Sequence, residues 1–198
     1  MASRLFTWAG AGQWRAESAE VRPEGDRFSA TGVQLGVDPV PYRVDYRLET
    51  TAGWVTSTLD VVALGSGWRR SLHLVRDGNG RWSGRTETEG GCPFPETRFD
   101  ADALTGALDC DLGFSPFTNT MPILRHRLQR SAGSADLTMA LVSVPDLAVE
   151  PSPQRYEHRQ STPTGAIVGF SSGSFSAELG VDQDGFLLDY PGLARRVR

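Results

Sequence analysis

The side chains with most to offer chemically crowd into one stretch. It runs from Asp109, Cys110 and Asp111 through Thr118 and Asn119 to Arg125, His126 and Arg127. Carboxylates and an amide accept hydrogen bonds from hydroxyls, and a guanidinium holds a phosphate or carboxylate by its fork. Together these residue types suit a polar head-group site at the mouth of a cavity. The same residues have a structural use: Asp can pair with Arg, and Asn and Thr can tie down an irregular loop through backbone groups. A second chemistry is hydrolase-like, with Asp111 and His126 as acid and base or Cys110 as nucleophile, on a lipid or glycosylated metabolite. Two features weigh against it. The chain has no G-x-S-x-G elbow, and the two aspartates flanking Cys110 disfavour its thiolate. His73, His126 and His158 lack metal-ligand spacing, so no metal and no cofactor is expected. Asp182-Gln183-Asp184-Gly185 opens like a calcium loop but lacks the later acidic ligands, and reads as a hairpin turn.

Aromatic residues form the other candidate set. Tyr46, Trp54, Trp68, Tyr156 and Tyr190 can line an apolar cavity or stack on a sugar face, and can equally be ordinary sheet packing. The chain carries 5 Trp, 4 Tyr and 9 Phe, enough to leave uneven space in a small interior.

The elements that must position these groups are strands. In Tyr42 to Glu49, Tyr42, Val44, Tyr46 and Leu48 share one face, while Arg43, Asp45, Arg47 and Glu49 share the other. That is a strand with one wet face. Trp54 to Leu64 and Trp68 to Arg76 follow. Asp77-Gly78-Asn79-Gly80 then marks a hairpin into Arg81 to Glu87. Shorter candidates are Leu5 to Ala9, Glu17 to Arg22, Arg27 to Leu35, Leu137 to Val144, Phe175 to Val181 and Phe186 to Tyr190. About a dozen strands are expected. One helix is expected after Ser115, with Thr120 as N-cap, Pro122 in the first turn, and Met121, Leu124 and Leu128 on one face. Gly91 to Pro95 and Pro145 to Pro153 read as loops.

Composition narrows the rest. At 198 residues, with 22 Gly and 12 Pro, the chain suits a single turn-rich domain over 1–198. No run approaches the roughly 20 apolar residues of a membrane helix, and Arg4 and Thr7 interrupt the N-terminal stretch that a secretory leader would need. The two cysteines are expected as free thiols in the cytoplasm. A net charge of −4 disfavours nucleic acid or an anionic membrane surface as the main partner, and no nucleic acid is expected. All 20 basic residues are Arg, so lysine chemistry is unavailable. The clusters Arg69-Arg70, Arg125 to Arg130 and Arg195 to Arg198 read as solvated faces or partners of acids. Unpaired sheet edges would let two copies associate, and a homodimer is one expectation.

The segment from Asp109 to Arg125 resembles the signature of the glycolipid-binding family of spiral β-roll proteins, D-x-D-L followed by S-P-x-T-N-T-L-P-I-R-R-L. Asp109, Asp111, Thr118, Asn119, Thr120, Pro122 and Ile123 fit it; Met121 replaces a Leu, and Leu124 stands in place of an Arg. Tyr42 to Trp54, Val144-Pro145, Gln154-Arg155-Tyr156 and the ending Asp189-Tyr190-Pro191-Gly192-Leu193 are similar to further family elements, in order. After Trp54 the chain reads Val55-Thr56-Ser57, where the family is more basic. The resemblance implies a mainly β fold, a long antiparallel sheet wrapped around a single helix. It also implies non-catalytic binding of a glycolipid-like amphiphile in a cavity inside the roll. The ligand-binding set would be Tyr46, Trp54, Trp68, Asp109, Asp111, Thr118, Asn119, Arg125, Arg127, Tyr156 and Tyr190.

Overall fold

A computed structural model describes residues 2–197; Met1 and Arg198, which close the N-terminal stretch and the last basic cluster, lie outside the described residues. The alternation builds fourteen strands: β1 Arg4–Gly10, β2 Arg15–Glu24, β3 Arg27–Gly36, β4 Tyr42–Thr51, β5 Val55–Gly65, β6 Trp68–Arg76, β7 Trp82–Gly90, β8 Asp109–Leu112, β9 Ser134–Val142, β10 Val149–Thr162, β11 Gly165–Ser172, β12 Phe175–Asp182, β13 Leu187–Tyr190 and β14 Ala194–Arg196. They form one sheet in the order β7-β6-β5-β4-β3-β2-β1-β14-β13-β12-β11-β10-β9-β8. The first and last strands therefore meet in mid-sheet, Trp8 opposite Arg196. Among the described residues every pairing is antiparallel except β8 with β9.

The sheet rolls until one end tucks inside. Asp109, Cys110 and Leu112 of the terminal strand β8 are buried. They dock behind β5, where the Thr56 amide donates to the Leu108 carbonyl (3.1 Å) and the Cys110 amide to Thr56 Oγ1 (3.0 Å). Tight curvature demands room on the concave face, and glycines supply it. Gly32 stands directly opposite Tyr46 and Gly36 opposite Tyr42, each with the ring laid across it where a β carbon would fall. Such cross-strand coverage of glycine by an aromatic pins register and buries the ring.

The single α-helix among the described residues, α1 Thr120–Arg125, lies inside the roll, with Thr120, Met121, Pro122 and Ile123 buried. It is shorter than the apolar spacing suggests, and its N-cap is Asn119 rather than Thr120. It ends in a Schellman closure: Arg127 takes φ +54°, its amide donates to the Leu124 carbonyl (3.1 Å), and the Leu128 amide donates to Ile123 (2.9 Å). Leu128 is thus a buried closing contact beyond the helix. A non-glycine in the left-handed position hid this stop from the sequence pattern.

The Pro145 to Pro153 segment is a loop only as far as Ala148; β10 begins at Val149 and runs through both Pro151 and Pro153. Up to Pro153 the strand pairs only with β9, and β11 joins from Arg155. A proline is tolerated in a strand that has one unpaired side. Arg70, expected on a solvated face, is buried and donates to Thr88 Oγ1 and to the Asp146 and Phe94 carbonyls (2.8–3.1 Å). Among the described residues no helix is long and apolar enough to cross a membrane.

Candidate functional site

The turn after β8 opens a cleft of about 310 Å³ beside the start of α1. One wall is apolar, from Leu141, Val144, Phe170, Tyr190 and Leu193; the polar end holds Asp111, Ser115, Asn119 and Ser143. A mostly apolar concavity with a few convergent polar groups, at about 300 Å³ or more, is the usual form of a small-molecule site. The aromatic wall continues outward. Phe170 and Tyr190 (centroids 6.0 Å apart) both approach Phe175, which is half exposed.

A layer of buried hydrogen bonds fixes the polar end. Thr118 Oγ1 donates to Asp111 Oδ1 (3.0 Å) and Gln154 Nε2 to Asp111 Oδ2 (2.7 Å). The Tyr156 hydroxyl lies 2.9 Å from both Asn119 Oδ1 and Gln154 Oε1, and Asn119 Nδ2 donates to the Ser115 carbonyl (3.2 Å). Asn119 is thereby occupied with Tyr156 and Ser115, which is why it makes no side-chain cap bond to the helix it precedes. Burial raises the Asp111 carboxyl, and its bonds from Gln154 and Thr118 oppose the rise. Burial also raises the Tyr190 hydroxyl, with the Asp111 charge adding to it. Asp111, Asn119 and Tyr190 thus line the cleft, and Thr118 and Tyr156 hold them from behind.

The other residues singled out in the sequence lie elsewhere. Arg125 grips Asp109 through both guanidinium ends, Nη1 at 2.9 Å from Oδ1 and Nη2 against Oδ2, and fastens α1 to β8. Burial pushes the Asp109 carboxyl up, while Arg125 pulls it back. Trp68 packs edge-on to Phe94 (5.5 Å) over Gly65, and Trp54 sits at a turn after β4 with φ +56°. Arg127 is the exposed residue of the Schellman turn. His126 is exposed as well, lowered by partial burial and by Arg125, whereas Asp111 bonds to Thr118 and Gln154. Burial pushes the Cys110 thiol up to about 12, which leaves it a poor nucleophile at neutral pH. Thr56, at the place where the family is more basic, ties β5 to Cys110.

A second polar cluster, unmarked in the sequence reading, lies next to the cleft. Glu17 of β2 and Gln34 of β3 face each other across the sheet, and both are buried. Tyr46 and Ser115 donate their hydroxyls to Glu17 Oε1 (2.6 and 2.7 Å). Glu17 Oε2 and both polar atoms of the Gln34 amide are buried without a hydrogen bond of good geometry, though the Gln34 amide and the Phe117 backbone lie close enough to Glu17 to lower its carboxyl. Burial raises the Glu17 carboxyl to about 7, more than its hydrogen bonds lower it. The signal that could have found this pair is phase. Glu17 alternates in step with inward Ala19 and Val21, and Gln34 in step with inward Phe28 and Ala30. Val33 and Leu35, apolar on the outward face, blur that phase in β3.

Rolled sheet, enclosed short helix and cleft define a β-roll with an apolar groove closed by polar groups at one end. The chain belongs to the family described as "Putative glycolipid-binding", whose model matches residues 5–196. Among solved structures it is similar to a DUF1089 family protein from Pseudomonas aeruginosa, at 29% identity and a TM-score of 0.69, over 94% of this chain and 93% of that one. No curated protein matches it.

Proposed function

We propose that this protein binds an amphiphilic small molecule, glycolipid-like in character, in the cleft beside α1 and performs no chemistry on it. The observation that carries the reading is the division of that cleft. Its apolar wall ends at Asp111 and Asn119, which the Thr118–Gln154–Tyr156 bonds hold in place. An alkyl tail along Leu141, Phe170 and Leu193 would gain roughly 0.8 kcal/mol per buried CH₂. A polar head would meet fixed acceptors at the inner end. At about 310 Å³ the cleft takes one narrow tail rather than a whole two-tailed lipid. Membership of the family supports an amphiphilic ligand.

Solvent extraction of the purified protein followed by mass spectrometry tests the proposal, together with calorimetric titration of single-tailed alcohols and glycosides. A bound amphiphile is expected. Leu141→Trp, which places an indole in the cleft, should weaken binding by about tenfold or more. An empty extract and no heat from the whole series would sink the reading.

A further inference from the structure

The two end strands of the sheet meet different fates in the roll. β8 is tucked inside, behind β5, with Asp109, Cys110 and Leu112 buried. β7 lies at the other end and pairs with β6 alone. Its inner face is closed: the Phe99 ring covers Gly84, and the Trp82 indole donates to the Ala107 carbonyl (3.0 Å). Its outer edge is open. The β6–β7 register runs without a bulge from Trp68 opposite Gly90 to Arg76 opposite Trp82. Bonds just beyond the two ends fix its phase: the Asp77 amide donates to the Arg81 carbonyl (2.9 Å), and the Gly91 amide to the Gly67 carbonyl (3.1 Å). Hydrogen-bonded pairs in an antiparallel ladder recur at every second residue. Ser83, Arg85, Glu87 and Glu89 therefore direct their amides and carbonyls to β6, whereas Gly84, Thr86 and Thr88 direct theirs outward. Among the described residues no other backbone group bonds to those three.

An open row of this kind either takes another strand or is blunted against one. The unpaired stretch of β10, Val149 to Pro153, is blunted by its two prolines. β7 has no proline, and the order of its charges suits a second copy of itself. Two β7 strands related by a twofold axis through Thr86 pair antiparallel, with Gly84 opposite the partner's Thr88. The outward amides and carbonyls of Gly84, Thr86 and Thr88 then meet their counterparts. The same register sets Arg85 opposite the partner's Glu87, twice by symmetry, and Ser83 opposite the partner's Glu89. Arg85 and Glu87 are exposed and already pair within the strand (2.6 Å), so the contact would close a square of alternating charge. Unlike charges directly opposite favour a strand pair and like charges disfavour it. An axis through Thr88 would set Glu87 against the partner's Glu89, and an axis through Gly84 would run Thr88 off the strand, opposite the partner's Gly80. One register alone is both charge-matched and full length.

We propose that β7 is a dimerisation edge, across which two copies of this chain continue their sheets in that register. Main-chain bonds would supply the attraction and the charge square the specificity. A single strand pair buries less than the interface of a permanent dimer, so a dissociation constant of roughly 10 μM is expected. Sedimentation velocity of the full chain from about 1 to 300 μM reads it. Thr86→Pro removes only an outward amide and puts its ring in the partner's path, so this variant should fold and sediment as a monomer. Arg85→Glu and Glu87→Arg each set like charges opposite one another, and each should weaken association about tenfold or more. In an equimolar mixture of those two variants every cross-strand pair is again unlike, and a heterodimer should form with an affinity close to that of the wild type. Recovery from two chains that fail alone is a result that misfolding does not produce. A wild-type chain that stays monomeric to about 300 μM, a dimer that survives Thr86→Pro, or a mixture no more associated than its components would overturn the proposal.

Discussion

Asp109 and Glu17 are both buried carboxylates on inward-facing strand positions, and they differ in how their oxygens are met. Arg125 takes both oxygens of Asp109 through its fork, and the pair fastens helix to strand. Glu17 has two hydroxyl donors on one oxygen and otherwise only looser approaches, from the Phe117 backbone and from the Gln34 amide opposite it. A closed pair is a fastening, because taking one partner away leaves a charge stranded in a medium that cannot solvate it. An open pair, met only loosely on one side, fastens no two elements in this way. Family signature residues thus include a fastening, while the open pair lies outside the signature.

The sharpest way to break this contrast is to remove each partner in turn. Arg125→Met should cost about 3–5 kcal/mol in urea unfolding, since it leaves Asp109 buried and alone. A loss below about 1 kcal/mol would mean that Asp109 simply protonates and the fastening is unimportant.

A middle-sized effect comes from protonation. The Glu17 carboxyl keeps its proton up to about 7 in the folded chain, against 4.5 for an ordinary glutamate. Between those values the folded state binds more protons than the unfolded, so stability falls as pH rises through the window. The stabilising contribution is complete below about 4.5 and lost above about 7. A shift of that size corresponds to roughly 3 kcal/mol. Glu17→Gln should flatten this part of the stability–pH curve. Asp109 and Asp111 are raised in the same direction and remain in the variant, so the difference between the two curves isolates Glu17. Identical slopes would show that Glu17 titrates as an ordinary acid.

The smallest effect is the most discriminating. Gln34→Met should change stability by no more than about 1 kcal/mol, because the amide approaches Glu17 without making a hydrogen bond of good geometry. A clear loss of stability would show that the amide is part of the fold's own hydrogen bonding.

Much of the architecture was legible because it depends on local alternation. Tyr42 to Leu48 alternates cleanly and is buried as the pattern requires. The turns at Asp77 and Asp182 are where their aspartate and glycine residues put them: each aspartate carboxyl accepts amides two and four residues on. Less local features were not. The helix stop at Arg127 has no glycine to announce it. The strand through Pro151 and Pro153 exists because one side of it is unpaired there, a property of its neighbours. Of the candidate site, Asp111 and Asn119 come from one segment and meet Tyr190, far along the chain, at the cleft. Asp109 and Arg125, chosen for the same chemistry, are taken up by each other.

By itself the sequence determined a mainly β chain with one short helix and a signature concentrated between Asp109 and Arg125, since residue alternation, turn chemistry and a local motif are short-range properties. Tertiary structure alone decided which polar groups are satisfied. Whether Glu17 or Asp109 finds a partner depends on what the rolled sheet brings opposite it: Arg125 lies 16 positions from Asp109, and Ser115 lies 98 from Glu17. Burial strips water from both carboxylates alike, and only the curvature of the roll determines which of them meets a guanidinium.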